Sequence, residues 1–223
     1  MAFGTLYTHN PTPRGFAIQA IAKTNGLDLD IVYAEKENKE NYEKLLEYNP
    51  LGQVPVFVGA DGFVLTEAIA IALFVTTQNK ETPLLGTSRL DHLQVLKWLS
   101  FANSELLPNL GGVILPLMHR PQVIRHNADD CLREFHNDCR VLEKHLSTDN
   151  KKYLVAEQLT LADLFTVGTL VYAVKVFHPV LKVEYPRLME WFTRVYEEPM
   201  FKEVVGELEL FDVPFPELPE HEK

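Results

Sequence analysis

The sequence predicts two domains: a mixed α/β unit ordered β-α-β-α-β-β-α, followed by a bundle made only of helices. Strand-like alternation and β-branched or aromatic triplets are confined to the first third of the chain. The Asp61-Gly62 pair between two such triplets marks a tight hairpin. From Arg89 onward the apolar residues recur at helical spacing, and residues 78–88, with Pro83 and Gly86, read as a connection where strand character ends. The expected boundaries are 1–79 for the sheet domain, 80–88 for the linker and 89–223 for the bundle.

Gly4-Thr5-Leu6-Tyr7-Thr8 opens the chain as a strand, and residues 9–13 form a proline-broken loop. A helix is expected from near Arg14, through Phe16, Ile18, Ala20 and Ile21, to a stop at Asn25-Gly26. Leu29-Asp30-Ile31-Val32-Tyr33 alternates as a second strand, and residues 36–48 form a polar helix or loop. Pro55 stands at the entry of a third strand, where a missing N–H is tolerable. Val56-Phe57-Val58 and Phe63-Val64-Leu65 are the arms of the hairpin, and Thr66 is the expected N-cap of a helix that begins with the apolar run from Ala68 to Val75. This order is thioredoxin-like. Its parallel strand pair requires a right-handed crossover, with helices on both faces of the sheet.

In the bundle, residues 89–107 carry Leu90, Leu93, Leu96, Leu99 and Leu106. An interruption is expected at Pro108 and Gly111-Gly112, then a continuation to Met118 that breaks at His119-Arg120-Pro121. Ile124, Ala128, Cys131, Phe135, Cys139, Leu142 and Leu146 recur at threes and fours, a core-facing stripe. Residues 161–176 are apolar nearly all round, which predicts a helix at the centre of the bundle. Thr160-Leu161-Ala162-Asp163 supplies its capping pattern, so Asp163 reads as structural. Residues 186–196 and 199–205 are two further helices, and 212–223, with three prolines and four acids, reads as a loose strap.

Composition narrows the function. At 223 residues and 46% hydrophobic content the chain can bury a substantial core. A net charge of −10 argues against nucleic acid as a partner. There is no charged leader with an apolar signal core, and residues 164–176 are too short an apolar stretch to cross a bilayer, so a cytoplasmic protein is expected, off the membrane. Cys131 and Cys139 lie eight residues apart on one helix, about 12 Å along its axis, too far to bridge. His119, His126, His136 and His145 lack metal-ligand spacing and read as surface residues, so no metal is expected.

The chemistry lies in Val54-Pro55 and Thr66-Glu67-Ala68. A cis bond at Pro55 would leave the Val54 N–H and C=O outside the sheet, free to pair with the main chain of a short peptide. The helix starting near Ala68 offers free N–H groups and a partial positive charge to a carboxylate. The Glu67 side chain beside it suits an ammonium group. A ligand with an α-amino acid at one end and a peptide in the middle matches both features.

Asn49 to Pro55 and Glu67-Ala68-Ile69-Ala70-Ile71 resemble the glutathione-binding half of the glutathione transferase family. Ala68 stands where that family has serine, which removes one hydroxyl bond to the ligand carboxylate, worth about 1.5–3 kcal/mol. Gly4 to Thr8, Arg14, Phe16 and Trp98-Leu99-Ser100-Phe101-Ala102-Asn103-Ser104 are similar to the transferase-like domain of the elongation factor 1B gamma subunit. With Thr160 to Asp163, the resemblance covers nearly the whole chain, and with its acidic tail in place of a lysine-rich linker a free-standing relative is expected. It implies glutathione as co-substrate, a small hydrophobic electrophile as second substrate, detoxification as the role, and a homodimer.

A thiol near pKa 8.5 is mostly protonated at neutral pH, so conjugation needs a donor or cation aimed at the sulfur. In the family that group comes from the end of the first strand or the loop after it. The candidates here are Arg14, Tyr7, Thr8 and Asn10, and the absence of cysteine there speaks against the thiol-transferase and dehydroascorbate-reducing branches. Gln53, Val54, Pro55, Glu67 and Ala68 are the expected glutathione contacts, with Lys39 and Lys44 as further cations near the glycine end. Phe101, Asn103 and Ser104, with Trp98 and Met118, are expected towards the electrophile. The rival reading is a non-catalytic docking module that holds elongation factor 1B subunits. A dedicated thiol donor for one metabolite is a third.

Overall fold

The computed structural model describes residues 3–10, 12–117 and 128–211. The first seven elements are β1 (Gly4–Thr8), α1 (Phe16–Thr24), β2 (Leu29–Tyr33), α2 (Lys39–Tyr48), β3 (Val56–Gly59), β4 (Val64–Thr66) and α3 (Ala68–Thr77). The sheet runs β2-β1-β3-β4, with β1 and β2 parallel and the other neighbours antiparallel. Side chains alternate across it. Leu6 and Phe57, opposite each other in the register, join the core under α1 and α3. Tyr7 and Val56 face the other way, onto Leu45 of α2. The expected element order and two-faced cover are both present.

The helix after β4 departs from expectation. Thr66 ends the strand, and Glu67 is the N-cap, with φ 69° and no side-chain cap bond. A residue paired in the ladder to Val56 is held extended, so the turn into the helix falls on Glu67 instead.

The bundle begins with α4 (Arg89–Phe101), entered through a Ser88/Asp91 capping box. A π turn over Ala102–Leu106 leads into α5 (Leu107–Leu117). The expected break at Pro108 and Gly111-Gly112 is therefore wrong. Pro108 follows directly on the π turn in unbroken helical backbone, and the two glycines stay helical. A Cβ on Gly112 would meet Cys131 Sγ at 2.2 Å, so glycine here permits close approach of two helices.

Leu90 and Leu93 are exposed, at 74% and 51%, and the buried stripe of α4 is Val95, Trp98 and Leu99. Next come α6 (Ala128–Ser147), α7 (Leu161–Glu184), α8 (Pro186–Tyr196) and α9 (Pro199–Val205). Cys131, Phe135, Cys139, Leu142 and Leu146 form the buried stripe of α6, while Ala128 is exposed. Ile124, Met118, His119, His126 and the tail from 212 lie outside the described residues.

Of the other two histidines, neither is a surface residue. His136 is buried with Nδ1 2.6 Å from the Tyr185 hydroxyl, and His145 is half-buried against the Leu154 carbonyl at 2.9 Å. α7 is the one described helix long and apolar enough to cross a membrane, and 72% of its most apolar window is buried inside the bundle. It packs on α1, α4 and α8, and the hydrophobic core is continuous from the α1–α3 side of the sheet into the bundle.

Candidate active site

The loop after β1 is locked before it reaches α1. Thr8 and Thr12 share a buried hydroxyl–hydroxyl bond of 2.6 Å, and the Thr12 carbonyl accepts from the Gly15 and Phe16 N–H groups. A Cβ on Gly15 would lie 2.1 Å from Thr12 Oγ1, so the turn closes only around glycine. Arg14 sits on this turn, half-buried. Its Nε–H donates to Asn103 Oδ1 at 2.9 Å, from the π turn of the bundle. Burial lowers the guanidinium below its usual range, and the Glu67 charge nearby pulls it back up; it stays a cation at any working pH. Arg14, Glu67 and Asn103 thus converge from three separated stretches of chain.

The second part is made of backbone. The Val54–Pro55 bond is cis, and among the described residues neither main-chain polar group of Val54 has a hydrogen-bond partner. Pro55 is buried, while Gln53 is exposed and its carbonyl accepts from Asn49 Nδ2 at 2.9 Å. Glu67 is exposed and Ala68 is buried beneath it, at 4%. The first helical bond of α3 runs from Ile71 N–H to the Glu67 carbonyl. The N–H groups ahead of Ile71 lack intrahelical partners, and no side chain caps them.

The remaining predicted residues fall around this centre. Tyr7 is buried, 5.5 Å from the ring of Tyr48, and burial raises its phenol pKa. Thr8 is buried and committed to Thr12, and Asn10 is exposed with its backbone N–H on Glu35 Oε1 at 2.7 Å. Phe101 is half-buried, edge-on to buried Trp98 at 5.5 Å, and Ser104 is exposed. Lys39 and Lys44 are exposed, and Lys44 is paired with Glu47 at 2.6 Å.

Two grooves elsewhere hold about 570 Å³ and about 300 Å³, one lined by Phe3, Phe57, Phe63 and Phe74, the other by Gln19, Lys23, Asp28 and Val204. Neither includes a residue of this centre. Recognition of an extended peptide by main-chain groups needs a sheet edge and a helix tip, not a deep cavity.

Two family models match the chain: the glutathione S-transferase N-terminal domain over residues 2–77 and the glutathione S-transferase C-terminal domain over residues 108–199. The chain belongs to the glutathione S-transferase family. Glutathione S-transferase mdpJ of Emericella nidulans is 44% identical over 206 residues, which is 92% of this chain and 92% of that protein. Elongation factor 1-gamma of Carassius auratus is 34% identical over 94% of this chain but only 47% of its own length, so the chain spans about half of that relative. Among solved structures, the GST-like domain of elongation factor 1-gamma from Saccharomyces cerevisiae overlays with a TM-score of 0.77 at 27% identity, covering 96% of this chain and 98% of that one.

Several supporting residues carried no sequence signal. Thr12 and Gly15 lock the Arg14 turn, but Thr12 falls in the stretch that reads as a proline-broken loop and Gly15 in the expected start of the first helix. Glu35, which holds the Asn10 N–H, reads as one acid among several before a polar helix. Asp163, by contrast, is where the capping pattern puts it. Its carboxylate accepts from Leu154 N–H, Thr160 N–H, the Thr160 hydroxyl and Trp191 Nε1–H.

Proposed function

We propose that the protein is a glutathione transferase that conjugates the thiol of glutathione to small hydrophobic electrophiles. The observation that carries the reading is a held cation, Arg14, within electrostatic reach of Glu67 at the uncapped tip of α3, in a domain whose Val54 main chain is left unpaired just ahead of β3. Val54 pairs with the cysteinyl main chain of glutathione as an added strand would. The Ala68 N–H and the α3 dipole receive the γ-glutamyl carboxylate, and Glu67 takes its ammonium. Pro55 shapes that edge, and Gln53 serves the glycine carboxylate.

Arg14 favours the thiolate over the thiol because its charge is retained at every working pH. The sulfur then attacks the electrophilic carbon. A carbon–sulfur bond forms, the bond to the leaving group breaks with its electron pair, and the thiol proton passes to solvent. Thr8 holds the loop that carries Arg14, and Tyr7 and Asn10 flank it. Phe101 and Ser104 border the electrophile. The division into a glutathione-binding domain over 1–79 and a helical domain from 89, the homodimer, the cytoplasmic location and a detoxifying role belong to the same proposal.

Retention on immobilised glutathione together with turnover of a generic aryl halide tests it. Titrating the bound thiol by its ultraviolet thiolate absorbance, wild type against Arg14→Ala, tests the role of Arg14. A thiol pKa unmoved by Arg14→Ala would dismiss Arg14 as the activator.

A second reading has its own support, in the elongation factor 1-gamma relatives. There the chain is a docking module without turnover. Co-purification with elongation factor subunits, and no heat with millimolar glutathione, would favour it.

A further inference from the structure

Arginine beside a thiol is useful only if its planar fork is held still. A free guanidinium on a flexible stem spends much of its time in solvent and loses rotamer entropy when it engages. Arg14 is not free. Its Nε–H donates to Asn103 Oδ1 at 2.9 Å, across 89 residues of sequence, in a half-buried setting. The bond uses the inner nitrogen of the fork. Among the described residues, both terminal nitrogens remain without a hydrogen-bond or ion-pair partner, while the Glu67 charge lies within electrostatic reach.

The acceptor also sits on an irregular part of its helix. Asn103 lies in the π turn of Ala102–Leu106, between the regular helices α4 and α5. A π turn adds a residue to the winding and re-aims the side chains beyond it by about 100° relative to an uninterrupted helix. Such turns persist where a side chain must point somewhere that regular winding does not allow. Ala102 and Leu106, at the ends of the turn, are buried in the core, so the bulge is anchored at both sides. Asn103 between them is half-buried and turned to Arg14.

We infer that Asn103 is a positioning residue for thiol activation: by accepting the Arg14 Nε–H it fixes the fork so that its outer nitrogens face the glutathione sulfur. The bundle thereby contributes to a step whose other residues come from the sheet domain. This deepens the transferase reading above and rests on it. It also moves Asn103 from the electrophile pocket to the thiol side of the site. Asn103 touches neither substrate in this role, so its effect runs through Arg14 alone.

The test is a thermodynamic cycle in the full chain, with the pKa of the glutathione thiol on the enzyme as its readout. Asn103→Leu keeps the volume and removes the acceptor. It is expected to raise the bound thiol pKa by about one unit, to lower kcat at neutral pH by about threefold to tenfold, and to leave the KM for glutathione within about twofold. In an Arg14→Ala background the same substitution is expected to change the thiol pKa no further. If Asn103→Leu fails to fold, Asn103→Ser, whose hydroxyl is too short to reach Nε, carries the same expectations.

Outcomes separate the two levels of the argument. A thiol pKa that moves with Arg14→Ala but not with Asn103→Leu overturns the role of Asn103 and leaves the transferase reading standing. Equal pKa shifts for Asn103→Leu with and without Arg14 also overturn it, because the residue would then act on the thiol directly. A thiol pKa indifferent to Arg14→Ala overturns the roles of both Arg14 and Asn103, while the transferase reading stands or falls on glutathione retention and turnover.

Discussion

Two helix entries in this molecule face opposite ways. At the start of α7, Thr160 and Asp163 close the tip completely: the Asp163 carboxylate accepts four hydrogen bonds and is fully buried. At the start of α3, Glu67 holds a left-handed backbone conformation, no side chain caps the tip, and the residue is exposed. Unmet N–H groups at a helix start are a liability inside a core and a binding site at a surface. The bundle removed the liability with side chains. The sheet domain leaves it open at the surface.

The closed entry predicts the largest effect. Asp163→Ala strips the acceptor from four donors in a dry site, three on its own segment and one, Trp191, on α8. Stranding that many buried donors is expected to destabilise the fold by about 3–5 kcal/mol, read as a shift in the denaturant midpoint. Glutathione affinity of whatever fraction remains folded should be unchanged. A loss below about 1 kcal/mol would mean that water or a relaxed backbone replaces the carboxylate, and the contrast between the two tips would weaken.

A second buried acid tests whether the four donors matter. Asp138 on α6 is also buried, but has one donor, Asn109 Nδ2 at 2.8 Å. Burial, with Glu105 and Glu134 adding to it, pushes its carboxyl up to about 6 against the pull of Asn109. A raised acid pKa means that the folded protein prefers the protonated form. That contribution is complete below about pH 4 and is lost as pH rises through about 6. Asp138→Asn keeps the acceptor for Asn109 and removes the charge. It is expected to raise stability at pH 8 by about 1–3 kcal/mol and to flatten the stability profile between pH 4 and 7. Denaturant titrations across that range give the answer, and an unaltered profile would sink the assignment.

The open entry predicts a gain of function. Ala68→Ser places a hydroxyl beside the uncapped N–H groups of α3, which the transferase reading assigns to the ligand carboxylate. One charge-assisted bond is expected to tighten glutathione about tenfold, measured by calorimetry. A tip that was already satisfied would gain nothing from it. An unchanged affinity would therefore place the carboxylate elsewhere and remove the reason for leaving α3 uncapped.

What the sequence made legible follows the range of the interactions. The bounds of β1, β2, α8 and α9, and the Thr160/Asp163 cap, depend on residues within a few positions of each other, and all were read correctly. The left-handed Glu67 was not, because nothing in its side chain distinguishes it from a residue in a regular turn, and Thr66 looked the better cap. The π turn at Ala102–Leu106 was invisible for the same reason, since Pro108 and the paired glycines are the louder helix signals. His136 looked like a surface residue because the hydroxyl that holds it, Tyr185, is 49 residues away. At the site, Val54, Pro55, Glu67 and Ala68 were readable as a motif, but the partner of Arg14 lies 89 residues away and no local pattern points to it.

The smallest expected effect separates Arg14 from its neighbour. Tyr7 sits near the end of β1, the strand that leads into the Arg14 turn, yet its side chain goes to the α2 face, against Tyr48 and with Leu45 and Val56. Burial raises its phenol pKa, with the Tyr48 contribution in the same direction and Lys44 opposing both. A phenol harder to ionise is a poorer donor to a thiolate, and one packed for the core has less freedom to reach it. Tyr7→Phe is therefore expected to leave the pKa of the bound thiol unchanged and kcat within about twofold, at a stability cost of about 1 kcal/mol or less. A rise in thiol pKa well beyond that of Arg14→Ala would reverse the ranking. Activation would then lie with the strand, and Arg14 with its asparagine would be left to hold the two domains together.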